Sequence, residues 1–148
     1  MAQWFECKVK YDKTTGEAQI KTVSETYLVD AMSFTEAEAR ITEEVKYGIS
    51  GEFKVDSVKR VRMSEIFFDE NGDKWDKAKV NFITIDEKKG IEKRTGCYMY
   101  VQASDFAKAL QNLMDGMKGT MSDFEVASIA ETVILDVFKE DLSGAKAE

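Results

Sequence analysis

Residues 52–67, EFKVDSVKRVRMSEIF, decide the fold, because the stretch recurs 71 residues later as residues 123–138, DFEVASIAETVILDVF. Four of the 16 aligned pairs are identical (Phe53/Phe124, Val55/Val126, Ser57/Ser128, Phe67/Phe138), and five more are close in kind. In the first copy, Phe53, Val55, Val61, Met63 and Phe67 alternate with Asp56, Arg60, Arg62 and Ser64, the period of a strand with one wet face. The stretch is long for one strand, so a bend or bulge is expected near Ser57. The middle of the second copy, TVILDV, is apolar on both faces and reads as a central strand.

The same order of elements precedes each copy. WFECKVKY (residues 4–11), a turn DKTTGE and residues 18–30 read as a hairpin; WDKAKVNF, DEKKG and a strand through Tyr98–Val101 repeat it. Trp4 and Trp75, the only tryptophans, fall on equivalent positions. SFTEAEARITEEVKYG then takes helical period, with Phe34, Ala37, Ile41 and Val45 on one face, predicting a helix over 34–46. Ser33 and Glu36 form an S-x-x-E capping box, and Gly48 stands where a C-cap is expected. Asp105 and Phe106 open the second helix, which carries Ala109, Leu110, Leu113, Met114 and Met117 on one face. Asn71-Gly72 supplies a tight turn between the halves.

The expected fold is therefore α+β: an internal duplication of a β-β-α-β unit, with about six main strands, mostly antiparallel, and two helices on one face. Residues 1–148 are expected to form a single domain of two pseudo-symmetric halves, 4–70 and 75–139, sharing a core, with a frayed tail at 140–148. Two helices cannot cover all of Phe67, Phe68, Val133 and Leu135, so burial by a second copy, a homo-oligomer, is expected.

Composition bounds the chemistry. The net charge of -7 argues against general nucleic-acid binding, which needs clustered Lys and Arg facing phosphates. The chain has no histidine, so histidine zinc sites, serine-histidine triads and histidine general bases are excluded. Cys7 and Cys97 fall in different halves and read as reduced, buried thiols. No apolar run reaches the roughly 20 residues of a membrane span and no signal core opens the chain, so a cytoplasmic protein without membrane attachment is expected.

The motifs WFECKVKY, TYLVDAMSFTEAEARI, ISGEFKV, SEIFF, YMYVQASDF, GMKGTM and ASIAETVILDVF together resemble an uncharacterised family of proteins of about this length encoded by Bacteroidetes and their bacteriophages. The resemblance spans nearly the whole chain. It implies a small bacterial or phage protein, possessing no activity or binding residue that can be carried across, and places it near the phage-host interface.

Three local patterns bear on a site. Asp69, Asn71 and Asp73 have the spacing that opens a calcium loop, but Lys74 and Val80 stand where that loop needs glycine and a bidentate glutamate, so a polar turn is expected. The loop GMKGTMSD brings Lys118 and Thr120 between glycines, yet it follows a helix, whereas phosphate-binding loops precede one. Lys59, Arg60 and Arg62 on the organising strand, with Lys93 and Arg94 on the second hairpin, are candidates for an anion patch, and Trp4, Trp75, Tyr98 or Tyr100 for stacking on a base. The bland alternative is gatekeeping charge on a wet sheet edge. Glu65 and Asp136, equivalent in the two copies, are the one pair of acids considered for acid-base work, and nothing supplies a nucleophile beside them.

These residues point to a non-enzymatic binding protein, with no cofactor or metal, that sequesters a small nucleotide-derived ligand such as a host defence signal. The alternative is an acidic protein-protein adaptor or inhibitor of a nucleic-acid enzyme.

Overall fold

The computed structural model describes residues 3–14 and 16–139; the tail expected at 140–148 lies outside them. The described residues form an α+β fold of two helices and eight strands: β1 (Gln3–Thr14), β2 (Ile20–Ala31), α1 (Phe34–Val45), β3 (Phe53–Val61), β4 (Glu65–Phe67), β5 (Lys74–Asp86), β6 (Ile91–Ala103), α2 (Phe106–Gly116), β7 (Asp123–Glu131) and β8 (Ile134–Phe138). The six main strands expected are joined by two short ones, β4 and β8. The strands make two four-stranded mixed sheets, ordered β3-β1-β2-β8 and β4-β6-β5-β7. The chain divides into two compact units, unit 1 (Met1–Val61 with Val133–Glu148) and unit 2 (Arg62–Thr132).

The organising stretch is not one bent strand. After β3 the chain leaves the sheet of unit 1, and β4 pairs parallel with β6 in unit 2 (Glu65↔Met99, Phe67↔Val101). After β7 it returns, and β8 pairs parallel with β2 (Tyr27↔Asp136, Val29↔Phe138). Each sheet thus receives its fourth strand from the chain that follows the other unit's third. The sequence hides this because period-2 alternation runs unchanged through the break, whichever sheet accepts the last residues. The expected bulge is present. Lys8 pairs with Ser57 and Val9 with Val55, leaving Asp56 extra; Lys79/Ser128 and Val80/Val126 repeat this around Ala127.

TVILDV is not a central strand: β8 ends its sheet order, with Ile134 buried but Val133 and Leu135 exposed. Its second apolar face is uncovered within unit 1, which is where reading burial from composition alone misleads.

Alternation in the hairpins puts one row of side chains under each helix. In unit 1, Phe5, Cys7 and Val9 of β1 and Tyr27, Val29 and Ala31 of β2 pack with Ala37, Ile41 and Val45 of α1. In unit 2, Ala78 and Val80 of β5 and Met99, Val101 and Ala103 of β6 pack with Ala109, Leu113 and Met117. Burial of these rows is the main stabilising term, at roughly 25 cal/mol per Å² of apolar surface. Leu110 and Met114 lie on the flank of α2 and stay partly exposed.

The Ser33 hydroxyl accepts from the Glu36 amide at 3.1 Å, and the Asp105 carboxylate from the Lys108 amide at 2.8 Å. Glu36 reaches back one residue further than a capping box requires, accepting from the Met32 amide. Gly48 does not cap α1: the C-cap is right-handed Lys46, and the left-handed conformation falls on Gly51 (φ 89°). The 69–73 segment is the polar turn expected. Asp69 accepts from the Asn71 amide at 3.0 Å and from the Asn112 side chain at 2.9 Å, which ties the turn to α2 and holds its carboxyl below the usual range. No helix among the described residues is long and apolar enough to cross a membrane.

Candidate functional site

Unit 1 holds a cleft of about 320 Å³ between β2, β8 and the C-terminal end of α1. Its floor follows from the hairpin register. Val9 faces Glu25, Cys7 faces Tyr27, and Tyr11 lies one step further along β1, so two tyrosines flank one carboxylate. The Tyr27 hydroxyl donates to Glu25 at 2.6 Å and the Tyr11 hydroxyl donates to its other oxygen at 2.8 Å. Phe138 of β8 stacks on Tyr27, with ring centroids 5.6 Å apart. Glu44 of α1 and Asp136 of β8 complete the lining.

The electrostatics are those of a cation receiver. Burial, then the hydrogen bond to Glu25, pushes the Tyr27 phenol well above its ordinary range; the bond to Glu25 also raises Tyr11. Both phenols stay neutral at physiological pH and act as donors, leaving the charge on the carboxylates of Glu25, Asp136 and Glu44, the last of which pairs with Arg40 at 3.8 Å. The carbonyl end of α1, which terminates at Val45 beside the cleft, adds partial negative charge. Aromatic rings beside carboxylates suit an ammonium or guanidinium group.

The residues singled out from the sequence lie elsewhere. In unit 1, Lys59 is exposed on β3 opposite Glu6, Trp4 is half-buried on β1, and the Arg60 guanidinium lies 5.6 Å from the centre of the Phe34 ring. In unit 2, Arg62 is exposed between β3 and β4. Lys93 is exposed on β6, and Arg94 pairs with Glu125 at 3.1 Å and Glu92 at 3.9 Å. Trp75 is buried, with Phe68 edge-on against it, so it has no free face for a base. Tyr98 is partly exposed, and the Lys77 ammonium sits 4.4 Å from its ring centre. The amides of Lys118 and Thr120 donate to Asp115 and Met117 carbonyls, and the Lys118 side chain pairs with Asp115 at 3.3 Å, so the loop does not offer these amides to a phosphate. Glu65 belongs to β4 of unit 2 and Asp136 to β8 of unit 1.

The cleft residues carried one overlooked signal. Glu25 and Tyr27 lie two apart on a strand, hence on one face, and the hairpin fold-back brings Tyr11 to the same end of the sheet. The thiols are no part of it: Cys7 is fully buried, with its pKa pushed up to about 12 by desolvation.

A comparison with curated proteins finds no match. A family model described as a domain of unknown function, DUF4494, matches residues 3–140, which include both units' helices and all eight strands. The chain belongs to this family, DUF4494.

Proposed function

We propose that the chain is a non-enzymatic binding protein, a duplicated β-β-α-β frame, that engages a basic protein partner through the acidic cleft of unit 1. The observation that carries this is Glu25, fixed by two neutral phenols in a cleft that also bears Glu44 and Asp136. The adaptor reading therefore ranks above sequestration of a nucleotide, since three carboxylates repel phosphate. Net charge of -7 steers a basic partner in the same sense. Exposed Val133, just before edge strand β8, and Leu135 on it further support a homo-oligomer, which native mass spectrometry tests by the presence or absence of a multimer.

Titration with short oligolysine and oligoarginine peptides, followed by amide chemical shifts, tests the cleft. Shifts at Tyr11, Glu25 and Tyr27 that saturate, fall steeply with added salt and disappear in Glu25→Gln/Asp136→Asn are expected. Peptides that move none of these amides refute the reading. The nucleotide reading keeps one observation in its favour, Lys77 over the exposed ring of Tyr98. Recovery of an intact nucleotide from denatured protein, together with a silent cleft, would reverse the ranking.

A further inference from the structure

The equivalent corners of the two units differ in charge. In unit 1, Phe5 of β1 pairs with Arg60 of β3, Phe5 meets the ring of Phe34 edge-on at 5.0 Å, and Arg60 lies over that same ring. The corner is thus filled by the chain's own arginine and aromatic pair. The same ladder positions in unit 2 hold Asp76 of β5 and Glu131 of β7, directly opposite each other, and Phe106 opens α2 as Phe34 opens α1. Where unit 1 has an arginine and a phenylalanine, unit 2 has two acids.

Asp76 is 5% exposed, and the charges beside it are Glu131, which opposes its ionisation, and Lys74, which favours it. It lies on the helix-facing side of β5, two residues before core residue Ala78. Opposed like charges on one sheet face are destabilising, and more so where one of the two acids is largely desolvated. Glu131 has only an exposed contact with Lys74 at 3.3 Å, which exchanges readily with a better donor. Phe106 is 63% exposed, an apolar ring with no cation over it among the described residues. The corner has two opposed carboxylates, with Phe106 at the position equivalent to Phe34, and no arginine at the position of Arg60.

We infer that Asp76, Glu131 and Phe106 form a socket for an arginine side chain supplied by a basic protein partner, a second contact that rests on the adaptor reading above. Arginine is specified over lysine because a fork can bridge two carboxylates while stacking on the ring, as a point charge cannot. Unit 1 shows the filled form of the arrangement, with Arg60 as the internal plug.

The probe is a capped Gly-Arg-Gly peptide, with Gly-Lys-Gly and Gly-citrulline-Gly as controls, titrated into the full chain with amide shifts read at Asp76, Phe106 and Glu131. Saturable shifts with the arginine peptide, weaker with lysine and absent with citrulline, are expected. Asp76→Asn should raise the Kd about tenfold, equivalent to 1.4 kcal/mol, and Glu131→Gln should act in the same direction; both variants should leave the shifts at Tyr11 and Tyr27 as they are. No shift at the three amides, or equal affinity in Asp76→Asn, overturns the socket. Shifts confined to the cleft would refute the socket and leave the cleft standing; shifts confined to the socket would refute the cleft and leave the socket standing.

Discussion

Gly116→Ala tests whether β4 lies where the topology puts it. Gly116 is the last residue of α2, and an added Cβ would stand 2.5 Å from Cε1, 2.7 Å from Cδ1 and 2.8 Å from Cζ of Phe67 on β4. Carbon atoms pack at about 3.5 to 4.0 Å, so the ring must retreat by roughly 1 Å. Phe67 ends β4, where it pairs with Val101 of β6, so its backbone is tied to the sheet behind the ring. Two effects compete. Replacing glycine by alanine in a helix interior gains about 1 kcal/mol, and less at a helix end. Overpacking costs about 1 to 3 kcal/mol. The clash is aromatic ring against methyl with a paired strand behind the ring, so the cost wins and a net loss of about 1 kcal/mol is expected.

The measurement is urea unfolding followed by Trp75 fluorescence in a Trp4→Phe background, because Trp75 is buried in unit 2 and reports its unfolding. Phe67→Ala alone is destabilising for other reasons, so the informative quantity is the double-mutant cycle. With the ring removed, Gly116→Ala should become neutral or stabilising, giving a coupling of about 1 to 3 kcal/mol. If Gly116→Ala stabilises the parent chain and is additive with Phe67→Ala, Phe67 does not seat on α2, and the exchange of fourth strands between the units is wrong.

Four further outcomes concern the tyrosine pair, Glu25, Asp76 and Gly72. Tyr11 and Tyr27 have raised pKa values, so the stability they gain from staying protonated is fully present below the ordinary tyrosine range and is lost as pH rises through their folded values; in phenolate absorbance titrations Tyr11→Phe and Tyr27→Phe should each remove a late-ionising component. Glu25→Gln should restore Tyr11 more than Tyr27, whose main cause is burial; equal restoration would refute that division. Asp76 is raised by burial and by Glu131, so the stability linked to its protonation is present below pH 3.8 and lost as pH rises through its folded value; Asp76→Asn should raise Tm at pH 7 by more than at pH 4, and an equal gain at both would refute it. Gly72→Ala places a Cβ 2.6 Å from the backbone of Ala103, which cannot swing aside as a side chain can, so it should cost more than Gly116→Ala in the same urea assay.

The hairpins, helices, N-caps and Asn71-Gly72 turn were legible because each is specified locally, by alternation, by helical period, or by one side chain bonding a backbone amide nearby. The destination of residues 65–67 and 134–138 was not, since alternation fixes which face a residue takes but not which sheet receives it. Gly48 misled because a glycine near a helix end is common evidence for a cap, while here the chain continues through Lys46 and turns left-handed only at Gly51. The site was less legible still. Cationic residues draw attention in an acidic chain, but Arg94 and Lys118 are engaged with Glu125 and Asp115, and Arg60 stands over Phe34. The cleft depends on Asp136 and Phe138 arriving beside Tyr27, through the return of β8, which no local pattern announces.

Positions paired by ladder register carry different chemistry in the two units. By register, Tyr11, Glu25 and Tyr27 correspond to Phe82, Cys97 and Met99. The replacements remove both hydroxyls and the carboxylate, and Phe82 instead packs near Phe124, with ring centroids 6.4 Å apart, against the core of unit 2. The same comparison runs the other way at the opposite end of the ladder, where Phe5 and Arg60 close a corner that Asp76 and Glu131 leave charged. Arg40 and Asp30, an ion pair in unit 1, likewise correspond to Asn112 and Gln102, an amide network in unit 2. The paired positions hold the same place in each strand ladder, so the differences between them lie in side-chain chemistry. Unit 1 is acidic at the C-terminal end of its helix and closed at the N-terminal end; unit 2 keeps only Glu65, the equivalent of Asp136, at the first place and is acidic at the second. Buried Asp76 is hard to account for as a stabilising residue, since the position accepts a phenylalanine in the other unit and the acid faces a second acid. A position that sacrifices stability for charge is where a partner's opposite charge should be sought first.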